Sequence, residues 1–177
     1  MSKSALKILN TAEQLFNQHS FAGVGVDLIR DESGCSKTTL YTYYKNKDQL
    51  VKSVLIARDE RFKSSLLTTI GTAQGKQAIM KIFDWHMAWF QQDSFKGCLF
   101  VRAVAESHNQ KDIIVIAQQY KQWIKFLIAQ HCEIAAHAEL SELVYTLIEG
   151  LIGRFLVDGF DIHIALNLRK TLEHLLA

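Results

Sequence analysis

The chain has 177 residues, no proline, nine glycines, 49% apolar residues, and 20 basic residues against 18 acidic ones. That length buries one sizeable core, or a core and a small satellite, and the lack of proline removes the commonest breaker of long helices. A net charge of +2 is too small to mark the whole surface as a nucleic-acid binder, the three cysteines are odd in number and far apart, which argues against a disulfide framework, and no apolar run approaches the length that spans a bilayer.

The first residues, MSKSALKILNTAEQLF, mix polar and apolar side chains and lack the apolar core of a signal peptide. A cytoplasmic protein with reduced thiols is expected. Residues 4–18 place Ile8, Leu9, Ala12, Leu15 and Phe16 on one face of a helix. After a break at HSFAGVG, a short helix is predicted from Val26 to Ser33, where Leu28 and Ile29 are apolar. Gly34 interrupts it. Ser36 is a good N-cap for a helix to about Tyr44, and Asn46 with Gln49 three residues later makes a capping box for a long helix through Val51, Val54, Leu55, Phe62 and Leu66.

Residues from about Gly75 to Gln92 form a helix with a broad aromatic face. A short helix follows from Cys98 to about Glu106, then a long one from Asp112 to about His131. The stretch CEIAAHAELS fits no single pattern. Leu143 to Val157 and Asp161 to Leu176 are the last two helices, joined by DGFD. No alternating strand pattern occurs, so the fold class is all-α, with about nine helices.

The segment SGCSKTTLYTYYKNKDQL concentrates the chemistry. Gly34 sits where the chain turns sharply, and Leu28, Ile29 and Leu40 can pack two short helices together. The second of these helices then exposes Lys37, Thr38, Tyr41, Thr42 and Tyr43. Ammonium, hydroxyl and phenol groups suit phosphate oxygens and base edges. Lys37, Lys45, Lys47 and Lys52 against Asp48 leave residues 35–53 with a local charge of +3. This is the pattern of a helix-turn-helix.

From Ala12 to Leu50 the chain resembles the DNA-binding head of the TetR family of bacterial transcriptional repressors. The Leu15–Phe16 pair, Phe21, Ile29, Gly34, Ser36, the Leu40–Tyr41 pair, Tyr44, Lys47 and Leu50 carry the resemblance. It implies a homodimer that binds palindromic operator DNA, with residues 1–46 as the reading head and 47–177 as the ligand-binding and dimerisation domain. Tyr41 and Lys47 would hold phosphates, and Lys37, Thr38, Thr39, Thr42 and Tyr43 would complete the DNA-binding face. Three positions depart from the family pattern: Arg30 where a small alanine is usual, Ser20 for glycine, and Gly25 for a hydroxyl N-cap. Arg30 must point outward, or the two helices must sit apart. Asp27, Asp31 and Glu32 are expected to face away from DNA.

The resemblance also implies a small-molecule effector, mostly hydrophobic, that releases the DNA. Its candidate ligands on the protein are Trp85, His86, Trp89, Phe90, Cys98, Arg102, Tyr120, Trp123, Tyr145 and Glu149. Aromatics at helical spacing, Phe100 and Phe126 included, fit a packed core equally well. Arg102 and Glu106 can pair with each other, and His108 reads as a solvated rim residue. The dimer interface is expected on the last two helices, at Leu143, Leu147, Gly150, Leu151, Leu168 and Leu172. An alternative is a thiol switch at Cys98, which follows Gly97 at a helix start beside Lys96. No cofactor is implied. Cys132 and His137 are badly spaced for a shared ion, and His163 and His174 lie about 16 Å apart along a helix, so no metal is expected. No nucleophile–base set emerges, so the chain is not expected to be an enzyme.

Overall fold

The computed structural model describes residues 1–107 and 110–177. Among the described residues there are nine α-helices and no strand. They are α1 (Lys3–Gln18), α2 (Val26–Ser33), α3 (Lys37–Tyr44), α4 (Lys47–Ile70), α5 (Gly75–Phe90), α6 (Leu99–Glu106), α7 (Lys111–Ile134), α8 (Ser141–Asp158) and α9 (Ile162–Leu175). A 3-10 turn, Ala138–Leu140, lies within the stretch that had no clear pattern. His108, expected on a solvated rim, lies outside the described residues.

Local chemistry sets most helix ends. The Ser2 hydroxyl accepts from the Ala5 amide at 3.2 Å, and Ser36 Oγ accepts from Thr39 at 3.0 Å. Asn46 Oδ1 accepts from Gln49 at 2.8 Å, and Asp161 Oδ1 caps α9 from the amides of His163 and Ile164. Each cap satisfies an amide that has no partner inside its helix. Gly25 caps α2 in extended backbone without a side chain. Gly34 closes α2 at φ 59°, a left-handed conformation that glycine adopts without a steric penalty.

The chain divides into two compact units. One comprises Met1–Glu60 and Cys98–Gln118, the other Arg61–Gly97 and Gln119–Ala177, so α4 and α7 each contribute residues to both. In the first unit α1 packs against α2 and α3. Ile8, Leu9, Ala12, Phe16, Val24, Ile29, Leu40, Leu50, Val54 and Leu55 are all buried. Phe16 and Phe21 stack with ring centroids 4.9 Å apart. In the second unit α5 packs against α8 and α9, and Ile79, Ile82, Phe83, Phe90, Ile148 and Phe155 are buried.

Two expectations about packing are corrected. Leu28, taken as glue between α2 and α3, is 38% exposed, and Ile29 and Leu40 alone of that trio are buried. Leu28 precedes Ile29 by one residue, which turns it about 100° away around the helix. Phe126, counted among the aromatics of core or cavity, is 71% exposed on α7.

Candidate nucleic-acid interface

The turn from Gly34 to Ser36 sets how α3 is presented. Leu40 and Tyr44 are buried, and the Tyr44 phenol donates to the carbonyl of Ala5 at 2.8 Å, tying α3 to α1. Burial pushes that phenol's pKa up, which keeps it a donor. With one face of α3 committed, Lys37, Thr38, Tyr41, Thr42 and Tyr43 are left exposed on the other. Thr42 Oγ1 donates to the Thr38 carbonyl at 2.8 Å. Thr39 is half-buried, and its hydroxyl shares a 2.8 Å hydrogen bond with Ser36, so it serves the helix cap.

Lys47 opens α4 and is half-buried. It lines a half-open cleft of about 200 Å³ with Phe21, Asp48, Val51 and Glu106. Two of the three acids of α2 join an ion-pair network with Arg30 and Lys37. Asp27 Oδ1 accepts from Arg30 Nη1 at 2.9 Å and from Lys37 Nζ at 3.2 Å, and Arg30 Nε donates to Asp31 Oδ1 at 2.8 Å. Arg30 therefore points outward, and its pKa is raised by the Asp31 hydrogen bond. Ser20 takes φ 138°, a region natural to the glycine it replaces, and its hydroxyl accepts from the Gly23 amide at 2.9 Å.

Arg102 and Glu106 do not pair with each other. Arg102 Nη1 donates to the carbonyls of Phe16 at 3.1 Å and Asn17 at 2.9 Å, at the end of α1. Glu106 accepts from the Ala22 amide at 2.8 Å. Both side chains of α6 thus hold the C-terminal end of α1 and the loop after it. A cation at a helix C-terminus is favoured by the helix dipole. This clamp, like the buried Glu13–Arg58 pair at 2.8 Å, joins residues too far apart in sequence for periodicity to find.

The aromatic candidates of the second unit do gather. Phe62 meets Trp85 and Trp89 edge-on, each at 5.4 Å, and Trp89 meets Phe95 at 5.1 Å. Phe90 packs against Phe155 at 5.7 Å. The Trp85 indole donates to Ser65 Oγ at 3.0 Å. Arg61, Phe62, Ser65, Trp85, Ala88, Trp89 and Gln92 line a half-open cleft of about 250 Å³. His86 is buried with Nδ1 2.7 Å from the Ile82 carbonyl, and burial pulls its pKa down to about 4. Glu149 is held by Lys121 at 2.6 Å. Tyr120 is buried, Trp123 and Tyr145 are half-buried, and Lys63 lies 5.3 Å from the Trp123 ring centre. Cys98, the half-buried N-cap residue of α6, and Arg102 belong to the first unit, and the other eight candidates belong to the second.

On the last two helices Leu143 and Gly150 are exposed and Leu147 and Leu168 half-buried. Leu151 and Leu172 are buried within the chain itself, so neither offers a side chain to a partner. Leu156, Val157, Ile162 and Leu166 are exposed apolar side chains that the periodicity did not single out. Among the described residues no group of three His, Cys, Asp or Glu side chains could hold a metal, and no helix is long and apolar enough to cross a membrane.

A short helical head, a glycine turn and a second helix with one face committed to the core define a helix-turn-helix protein. The sequence model for bacterial regulatory proteins of the tetR family matches residues 8–54. Two curated relatives, uncharacterized HTH-type transcriptional regulators from two strains of Mycobacterium tuberculosis, are each 36% identical over 58 residues, 33% of this chain and 28% of theirs. The matched segment thus spans under a third of those relatives' length. Across the whole chain the fold is that of a TetR-family transcriptional regulator from Streptomyces coelicolor, with TM-score 0.85 and 19% identity, covering 98% of this chain and 92% of that one. E. coli NemR in its reduced form matches at TM-score 0.85 and 18% identity over 99% of both chains. Residues 8–54 thus match the tetR-family model, and the whole chain shares the fold of a solved TetR-family regulator.

Proposed function

We propose that this chain is a cytoplasmic, homodimeric transcriptional repressor that binds palindromic operator DNA and is released by a small, mostly hydrophobic ligand. Residues 1–46 act as the reading head and 47–177 as the regulatory and dimerisation body. The observation that carries the reading is the split face of α3. Leu40 and Tyr44 are buried while Thr38, Tyr41, Thr42 and Tyr43 stand exposed beside lysines, within a segment that matches the family's sequence model. Hydroxyls and phenols presented on one short helix fit base edges and phosphates in a major groove.

The dimer reading draws support from the exposed stripe of Leu143, Gly150 and Val157 on α8 with Ile162 and Leu166 on α9. The ligand reading draws support from the cluster of Phe62, Trp85 and Trp89 around an open cleft. A ligand there acts only through its differential affinity for DNA-competent and incompetent states. The role is regulation rather than catalysis.

Selection of bound sequences from random duplexes tests the proposal. A pseudo-palindrome with half-sites roughly 34–36 Å apart is expected. Recovery of no enriched sequence, from a chain that keeps its helical spectrum, would show that the head does not read DNA.

A further inference from the structure

The surface of α2 carries three acids and one arginine beside the first lysine of α3. Asp27 lies at the centre of this cluster. One of its oxygens, Oδ1, accepts from Arg30 Nη1 at 2.9 Å and from Lys37 Nζ at 3.2 Å. Asp31 takes the other side of the same guanidinium, at 2.7 Å from Nη2. The side chains of Arg30, Lys37 and Asp27 remain 37%, 50% and 62% exposed. Ion pairs this open contribute little to folding, and α2 and α3 are already joined by Ile29 and Leu40. Holding the two helices together is therefore not what the network supplies.

Its effect falls on the charge that the head presents. Lys37 and Arg30 are the two cations of α2 and of the α3 N-terminus, and both are engaged by carboxylates. The other exposed groups of α3 up to Tyr43 are neutral hydroxyls and phenols. Phosphate attraction is blind to sequence and dominates non-specific binding, whereas base-edge contacts discriminate. We infer that Asp27 is a specificity-determining residue: it holds Lys37 away from the phosphates and so lowers affinity for any duplex, leaving discrimination to Thr38, Tyr41, Thr42 and Tyr43. This inference rests on the DNA-binding reading above.

The test is a two-residue cycle on the full chain, read on a random-sequence duplex by anisotropy from 50 to 200 mM salt. Asp27→Asn keeps the shape and loses the charge. A cation freed onto a phosphate steepens the log–log salt slope by about 0.9 and tightens binding about tenfold at 0.1 M salt, and the cation freed in each head is Lys37, because Arg30 stays paired with Asp31 at 2.7 Å. Discrimination between a selected operator and the random duplex should fall by the same factor. Lys37→Met should weaken random-duplex binding less in the native background than in the Asp27→Asn background, where it should reverse most of one cation's gain. An unchanged salt slope in a helical Asp27→Asn chain overturns the inference. So does a Lys37→Met loss that is equally large in both backgrounds, and a loss of about tenfold for Lys37→Met with Asp27 native overturns it without recourse to the Asn variant. A role for Asp27 limited to the α2 dipole would move thermal stability without any dependence on Lys37. A native chain that binds no duplex at 50 mM salt overturns the DNA-binding reading and this inference together, whereas a native chain that binds and responds to Lys47→Ala, with no effect of Asp27→Asn, overturns this inference alone.

Discussion

Arg58 and Glu13 meet at 2.8 Å with side chains only 9% and 12% exposed, inside the unit that contains the head. Replacing Arg58 with methionine keeps most of the buried volume but removes the guanidinium that pairs with the Glu13 carboxylate at 2.8 Å. Breaking a buried pair from one side costs about 3–5 kcal/mol, because an uncompensated charge stays out of water. For a chain of this length each kcal/mol moves the melting temperature about 2–4 °C. Arg58→Met should therefore lower Tm by roughly 6–20 °C. The double variant Glu13→Leu, Arg58→Met removes both charges and should recover most of that loss, since a well-packed apolar pair is often as stable as the ion pair it replaces. Circular dichroism melts of the native chain, both single variants and the double variant would measure the coupling. A Tm shift under about 2 °C for Arg58→Met, or a double variant as unstable as the two singles summed, would refute the reasoning.

Lys47→Ala should weaken binding to all duplexes and reduce the salt slope by about 0.9 per head, measured by titration at several salt concentrations. Burial holds the His86 imidazole neutral down to about pH 4 in the folded chain, so the unfolded chain binds more protons between about 4 and 6.5. Its stability contribution is intact above pH 6.5, declines by up to about 3 kcal/mol as pH falls towards 4, and levels off below; urea midpoints across that range should lose this slope in His86→Phe. Gly97 has φ 79°, and a Cβ there would lie 2.9 Å from Leu156 Cδ2; Gly97→Ala should cost about 1–2 kcal/mol from the left-handed backbone alone, read in the same denaturation assay. Val157, 83% exposed, is the clearest apolar position on α8 for a subunit contact; Val157→Asp should shift sedimentation towards monomer at micromolar concentration without changing the helical spectrum.

The helix-turn-helix was legible because its signals are local. Gly34, Ser36 and Asn46 act within three residues of themselves, and a cap or a left-handed turn is written in the residue that forms it. In these short helices Ile29, Leu40 and Tyr44 face inward as expected, while Leu28, one residue before Ile29, does not. The longer helices were legible as helices for the same reason, yet their facing was not. Phe126 belongs to an aromatic series and stands exposed, while Leu151 and Leu172 belong to an exposed-looking leucine series and are buried. Periodicity states that residues share a face, but it does not state which neighbour covers that face.

The polar network was beyond reach for a different reason. Arg102 and Glu106 sit four apart, the spacing of a surface pair, and instead hold the carbonyls of Phe16 and Asn17 and the amide of Ala22. Lys37 reaches Asp27 only because the Gly34 turn folds α3 back beside α2. The sequence by itself determined where helices begin, turn and end, since hydrogen bonds within a few residues decide that. Tertiary structure alone decided which charges are already spoken for and which apolar faces remain open, because both depend on contacts between segments that the chain brings together only when it folds.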